Sequence, residues 1–196
     1  MTTNFIKDSL AEAQEVLQNY CSDSKIIQAI ENAINMMSDA LIRGNKIIAC
    51  GNGGSLCDAT HFAEEMTARF RNNRCALPAI AINDPGHITC VGNDFGYDYI
   101  FSRYIEAVGQ PGDVLLAFST SGNSANIISA AKTAKENELS VIGMSRASTT
   151  DNELSRYADI FIGVPHQGYA DRIQEMHILT VHIMVQGIEY KMGLNT

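Results

Sequence analysis

Five short apolar runs punctuate the chain: KIIAC (46–50), PAIAI (78–82), DVLLAFS (113–119), SVIGMS (140–145) and DIFIGV (159–164). Unbroken apolar runs suit strands covered on both faces, which means a parallel sheet between layers of helix. Helical patterns fill 56–70, 98–108, 124–137 and 151–157, and a long last helix follows from about 170 to 192. Strands and helices alternating with right-handed crossovers give a three-layer α/β fold around a mainly five-stranded parallel sheet. Ahead of it, residues 5–20 and 25–43 read as two N-terminal helices, with Leu10, Ala13, Leu17 and Ile27, Ile30, Ala33, Ile34, Met37 at helical spacing. Gly44-Asn45 closes the second. With no linker, repeat or low-complexity tract, residues 1–196 form a single domain: a helical pair (1–44) and an α/β core (45–196).

Composition narrows the function. At 196 residues and 45% hydrophobic content, the chain can bury one sizeable core. A net charge of −8 argues against nonspecific nucleic-acid binding, though local donors can still hold a small anion. No apolar run is long enough to span a membrane, and the first residues read as an amphipathic acidic helix rather than a signal peptide. Five cysteines without C-x-x-C spacing suit reduced thiols in a cytoplasm. Cys57 has no base placed beside it and is not read as a nucleophile.

In sheets of this kind ligands bind beyond the carboxyl ends of the strands. Two of those ends are rich in small and hydroxyl residues. Ser119-Thr120-Ser121-Gly122-Asn123-Ser124 follows the third strand, with a helix starting at Ala125. Four hydroxyls in six residues exceed what an N-cap at Ser124 needs and favour a phosphate at the helix start. Gly51-Asn52-Gly53-Gly54-Ser55 follows the first strand and is equally suited to a tight turn or an anion. Neither loop is a Walker A or a G-x-G-x-x-G motif, and Asp84 comes too late for a dinucleotide site.

The stretch HFAEE sets His61 and Glu65 four residues apart on one helical face. In the last helix Gln174, His177 and His182 interrupt an apolar run. Single histidines on apolar helices are usually core residues, and Gln174 with His182 alone is a weak metal signal. Set beside His61 and Glu65, these two complete a four-ligand set of N and O atoms. Asp94 reads equally as a turn former or a functional acid. His87 reads as structural. Arg69 and Arg172 are either surface salt-bridge partners or a source of positive field near a phosphate.

The stretches CGNGGSxCDAxHFAEE, VGNDFG, STSGNSAN and GYADRIQEMH resemble the sugar isomerase (SIS) domain and, within it, the phosphoheptose isomerase family. The resemblance covers nearly the whole chain. It implies a flavodoxin-like SIS fold and a cytoplasmic homotetramer with active sites between subunits, the N-terminal helical pair serving oligomerisation. It implies phosphate on Ser119, Thr120, Ser121 and Ser124, with Asn52, Gly53, Gly54, Ser55, Asn93, Asp94, Glu65 and Gln174 along the sugar. It implies one zinc per subunit on His61, Glu65, Gln174 and His182, an acid–base pair of Glu65 and His182, and Asp171 nearby as a further catalytic group. The activity implied is aldose–ketose isomerisation of D-sedoheptulose 7-phosphate to D-glycero-D-manno-heptose 7-phosphate through an enediol(ate), the first step of bacterial ADP/GDP-heptose and lipopolysaccharide core synthesis. No nucleic acid or membrane partner is implied. Leu56 and the segment SRASTTDNELSRYAD depart from the family pattern, and that segment is expected to lie away from the chemistry.

A sister group of SIS proteins gives the alternative, a noncatalytic module that binds the replication initiator. That group shares RIQEMH but lacks the acid at position 65 and carries Asn where this chain has His182. An SIS etherase for N-acetylmuramate 6-phosphate is a third reading, for which the chain is short.

Overall fold

The computed structural model describes residues 2–147 and 151–194. Five parallel strands, β1 (Ile47–Gly51), β2 (Ala79–Ala81), β3 (Val114–Phe118), β4 (Ser140–Arg146) and β5 (Ile160–Val164), lie in the order β2-β1-β3-β4-β5. In β1, Ile47 and Ala49 belong to one core and Ile48 and Cys50 to the other, as a strand of period two buried on both faces requires. The first core is closed by α1 (Thr2–Ser22), α2 (Ser24–Ile42), α3 (Gly54–Thr67) and α7 (Ala170–Lys191). The second is closed by α4 (Pro85–Asp94), α5 (Ser102–Val108) and α6 (Ala125–Glu136).

The chain leaves β1 for β2 on one side and returns to β3 on the other, with Gly51 paired to Phe118. The topological switch point therefore lies between the carboxyl ends of β1 and β3, where the two small-residue loops emerge.

Three elements differ from the sequence reading. Residues 85–94 form α4, which the apolar pattern did not show because it buries only Val91. Its signal was chemical: the Asp84 carboxylate accepts from the His87 N–H as N-cap, and Pro85 takes the first turn. The expected helix 98–108 is a 3-10 turn at Tyr97–Tyr99 followed by the shorter α5. Of the expected helix 151–157, only a 3-10 turn at Leu154–Arg156 forms. The N-terminal pair is docked onto α7 by polar pins as well as packing. Tyr20 Oη lies 2.6 Å from Thr180 Oγ1, and the buried Arg172 reaches Glu12 at 3.0 Å. Arg172 is thus committed to α1 and to Glu175 rather than to a ligand.

Candidate active site

The loop after β3 folds three of its four hydroxyls toward one another. Ser119 Oγ lies 3.1 Å from Ser124 Oγ and 3.4 Å from Ser121 Oγ, and it accepts the Gly122 N–H at 3.1 Å. Ser121 Oγ accepts the Asn123 N–H at 3.1 Å. Ser124 occupies the N-cap position of α6, yet its side chain makes no capping bond. It turns to Ser119 instead, so the hydroxyls converge ahead of a helix start whose partial positive charge suits an anion. Gly122 sits at φ +74, a backbone state open to glycine, and a Cβ there would run into Asn152.

Asn152 belongs to the segment expected to lie away from the chemistry, and that expectation is corrected. Asn123 Nδ2 donates to Asp151 Oδ1 at 3.0 Å, and Asn123 Oδ1 accepts the Glu153 N–H at 2.9 Å. The Leu154 N–H donates to Gly122 O at 2.9 Å. Residues 151–154 thus form a strap under the hydroxyl loop. Ser148, Thr149 and Thr150 lie outside the described residues.

The loop after β1 is locked to the same region. Asn52 and Asn126 exchange amide hydrogen bonds of 2.8 Å each, and Tyr97 Oη donates to Asn52 Oδ1 at 3.0 Å. Gly53 precedes α3 and Gly54 opens it, and Ser55 is buried in its first turn. A Cβ on Gly54 would strike the Gln174 carboxamide, so the close approach of α7 to this turn needs glycine. Gln174 Nε2 points to Asp58 Oδ1 at 3.5 Å, one turn ahead of His61 on α3. Burial pushes the Asp58 carboxyl up to about 6, against the opposing effects of Gln174 and His61. Asn93 and Asp94 end α4, exposed, with Asn93 Nδ2 donating to Asp94 Oδ1 at 2.7 Å.

His61, Glu65 and His182 converge from α3 and α7, with one candidate ligand atom each within 4.8 Å of the others. The two Nε2 atoms stand 3.0 Å apart, and His61 Nε2 lies 3.4 Å from Glu65 Oε1. On its other nitrogen, His61 Nδ1 lies 3.2 Å from Glu64 Oε2. A proton on Nδ1 facing Glu64 leaves the Nε2 lone pair directed at the centre. Two facing imidazole nitrogens and a carboxylate oxygen fit a borderline-soft divalent cation such as zinc. Phe70 stacks on the His182 ring at 5.8 Å and fixes its plane.

Asp171 lies in the first turn of α7 and accepts the Arg172 N–H at 2.9 Å. Eleven residues of helix separate it from His182, about 16 Å along the axis. His87 bonds the Ile100 carbonyl at 2.8 Å, a structural role. Arg69 is paired with Asn73. The groups that sequence reasoning missed are Asp58, Glu64, Phe70, Tyr97, Asn126 and Asn152. Asp58 and Glu64, each three residues from His61, carried a spacing signal; the others act across long sequence separations.

A parallel sheet of order β2-β1-β3-β4-β5 with a hydroxyl loop at its switch point defines a class, and the SIS domain family matches residues 10–146. The phosphoheptose isomerase of Pectobacterium atrosepticum is 53% identical over 193 residues, covering 98% of this chain and 99% of that protein. Among solved structures, a phosphoheptose isomerase from Francisella tularensis superposes with a TM-score of 0.91 at 33% identity, covering 97% of this chain and 99% of that one. One from Neisseria gonorrhoeae gives 0.89 at 36%, covering 97% and 100%. The chain belongs to the phosphoheptose isomerase family of SIS-domain proteins.

Proposed function

We propose that the chain isomerises D-sedoheptulose 7-phosphate to D-glycero-D-manno-heptose 7-phosphate, supplying heptose for ADP- or GDP-activated sugars and lipopolysaccharide core. The observation that carries this is the meeting of Glu65 with two imidazoles, His61 and His182, in a chain that also carries a hydroxyl cradle suited to phosphate. A binding module needs the cradle but no carboxylate–imidazole group, so the initiator-binding alternative is not favoured.

The reaction moves a carbonyl between C1 and C2 of an open-chain sugar. Ser119, Thr120, Ser121 and Ser124 hold the phosphate, which fixes the far end and aligns the reacting carbons. Asn52, Gly53, Gly54, Ser55, Asn93, Asp94 and Gln174 line the chain between. Glu65, whose Oε1 faces His61, leaves Oε2 to take the C1 proton and form the enediol(ate). His182 stabilises the oxygen charge by donating a hydrogen bond and relays the proton between oxygens. His61, Glu65, Gln174 and His182 would hold a zinc ion, which would supply Lewis-acid polarisation of the carbonyl in place of the hydrogen bond from His182.

The assembly proposed is a homotetramer with sites between subunits. Phe5, Ile6 and Leu10 of α1 are 64%, 50% and 67% exposed, more apolar surface than a free helix keeps in water. All five cysteines are free thiols, which suits a cytoplasmic setting. Among the described residues no helix is long and apolar enough to cross a membrane. Incubation with sedoheptulose 7-phosphate, followed by NMR, should show an aldose heptose 7-phosphate. Binding of the sugar phosphate with no aldose formed would return the chain to the binding-module reading.

A further inference from the structure

We infer that Arg74 is a positioning residue for this reaction, a buried guanidinium that fixes Glu65 on α3 against the stretch of α7 that carries His182. The inference rests on the isomerase reading above. Arg74 lies in the loop beyond α3, with its side chain 2% exposed. All three of its nitrogens donate. Nη2 donates to the Glu65 carbonyl at 2.6 Å, and Nη1 donates to the Met66, Ala68 and Cys75 carbonyls at 2.7, 3.1 and 3.0 Å. Nε donates to Glu189 Oε1 at 2.8 Å.

These partners divide into two groups. The carbonyls of Glu65 and Met66 belong to the last turn of α3, where no further helical N–H follows, and Met66 O also accepts the Leu77 N–H at 3.0 Å. A cation there satisfies the Glu65 carbonyl and answers the negative end of the helix. Glu189 belongs to α7, seven residues beyond His182 and so on the same face two turns on. One planar group thereby joins the backbone of the proposed base to the helix of the proposed acid. The Nε2 to Nε2 spacing of 3.0 Å between His61 and His182 depends on how those two helices sit.

Stability alone is a poor reason for this pair. Glu189 is also 2% exposed in its side chain, so both charges are desolvated. A well-packed apolar pair commonly does as well or better in such a place. The fork geometry is what an apolar pair, or a lysine, cannot supply.

The test compares Arg74→Lys with the double variant Arg74→Met/Glu189→Met, using melting temperature, kcat, KM for sedoheptulose 7-phosphate and zinc affinity by chelator competition. The double variant removes both charges together; with the carbonyls of Glu65, Ala68 and Cys75 left without the guanidinium, it should melt several degrees below the wild type but stay folded at assay temperature. It should nonetheless lose about tenfold to a hundredfold in kcat, as small misplacements at a reacting centre do. Zinc affinity should fall by about tenfold, and KM, set by the distant phosphate loop, should stay within about twofold. Arg74→Lys keeps the charge and the fold and should show the same split in milder form. Wild-type kcat and zinc affinity in either folded variant overturns the inference. So does a loss confined to melting temperature. If the wild type binds zinc but turns over no sugar phosphate, the isomerase reading fails, and zinc competition still decides the clamp.

Discussion

The hydroxyl cradle and the histidine–carboxylate centre are built in opposite ways. The cradle comes from six consecutive residues and the first turn of one helix, with its hydroxyls and N–H groups already bonded to each other. The centre joins α3 to α7 across 121 positions of sequence, and its geometry depends on how two helices pack. The first is local and backbone-set, suited to gripping a constant group such as phosphate. The second is long-range and side-chain-set, suited to placing a base and an acid over particular atoms. Damage to the centre should therefore appear in kcat, and damage to the cradle in KM.

The largest effect expected is from Glu65→Gln. Amide for carboxylate keeps the size and removes the base, so kcat should fall by at least about a hundredfold with KM little changed. A near wild-type kcat removes Glu65 from the chemistry. His182→Asn should come next. Asn neither relays a proton near neutral pH nor ligates zinc as imidazole does, so turnover and zinc content should both drop in a protein that stays folded and still binds sugar phosphate. A destabilised variant with full turnover and metal would make His182 a packing residue only.

Ser124→Ala tests the other region. Loss of a hydroxyl bonded to a charged phosphate should cost roughly 1.5–3 kcal/mol of binding, read as a raised KM with kcat largely kept. Because Ser124 makes no side-chain cap bond to α6, the melting temperature should hardly move. A lower melting temperature with unchanged affinity reverses the assignment.

The smallest functional effect is expected from His177, outside both regions. Its ring is fully buried beside Phe118, and burial pushes its pKa from 6.5 down to about 4, against a weaker effect of the Ser145 backbone. The unfolded chain therefore binds the extra proton first. The stability that neutral His177 contributes is fully present above about pH 6.5 and is lost as pH falls toward about 4. Asp58, with its raised pKa, works in the opposite sense over part of that window and is common to both proteins compared. Melting curves of wild type and His177→Met should diverge in slope between those pH values, by a few degrees, with turnover at neutral pH nearly equal. Parallel curves contradict the buried-neutral assignment.

Legibility in the sequence follows the same division. The five strands were readable because burial on both faces leaves unbroken apolar runs, and STSGNS was readable because its hydroxyls lie in adjacent residues. His61 and Glu65 were readable as a helical pair. That His182 joins them is a matter of α3–α7 packing, which no local spacing encodes; residue type offered it as a candidate ligand, and likeness to a family assigned its role. The strap at 151–154 was misjudged because its link to Asn123 spans about thirty residues of unrelated chain. Helix α4 was missed because it turns almost no apolar residue inward, leaving only its Asp84-Pro85 start as a sign.

The central claim is that proton transfer through an enediol(ate) occurs at Glu65. It is tested most directly by running the isomerisation of sedoheptulose 7-phosphate in D2O and following C2 of the aldose by NMR. The Glu65 side chain is 15% exposed and that of His61 37%, so the abstracted proton has access to solvent. The account predicts deuterium at C2 in the wild-type product and a rate of incorporation that collapses with Glu65→Gln. Aldose formed at full rate with the C1 hydrogen wholly retained at C2, in both proteins, contradicts it.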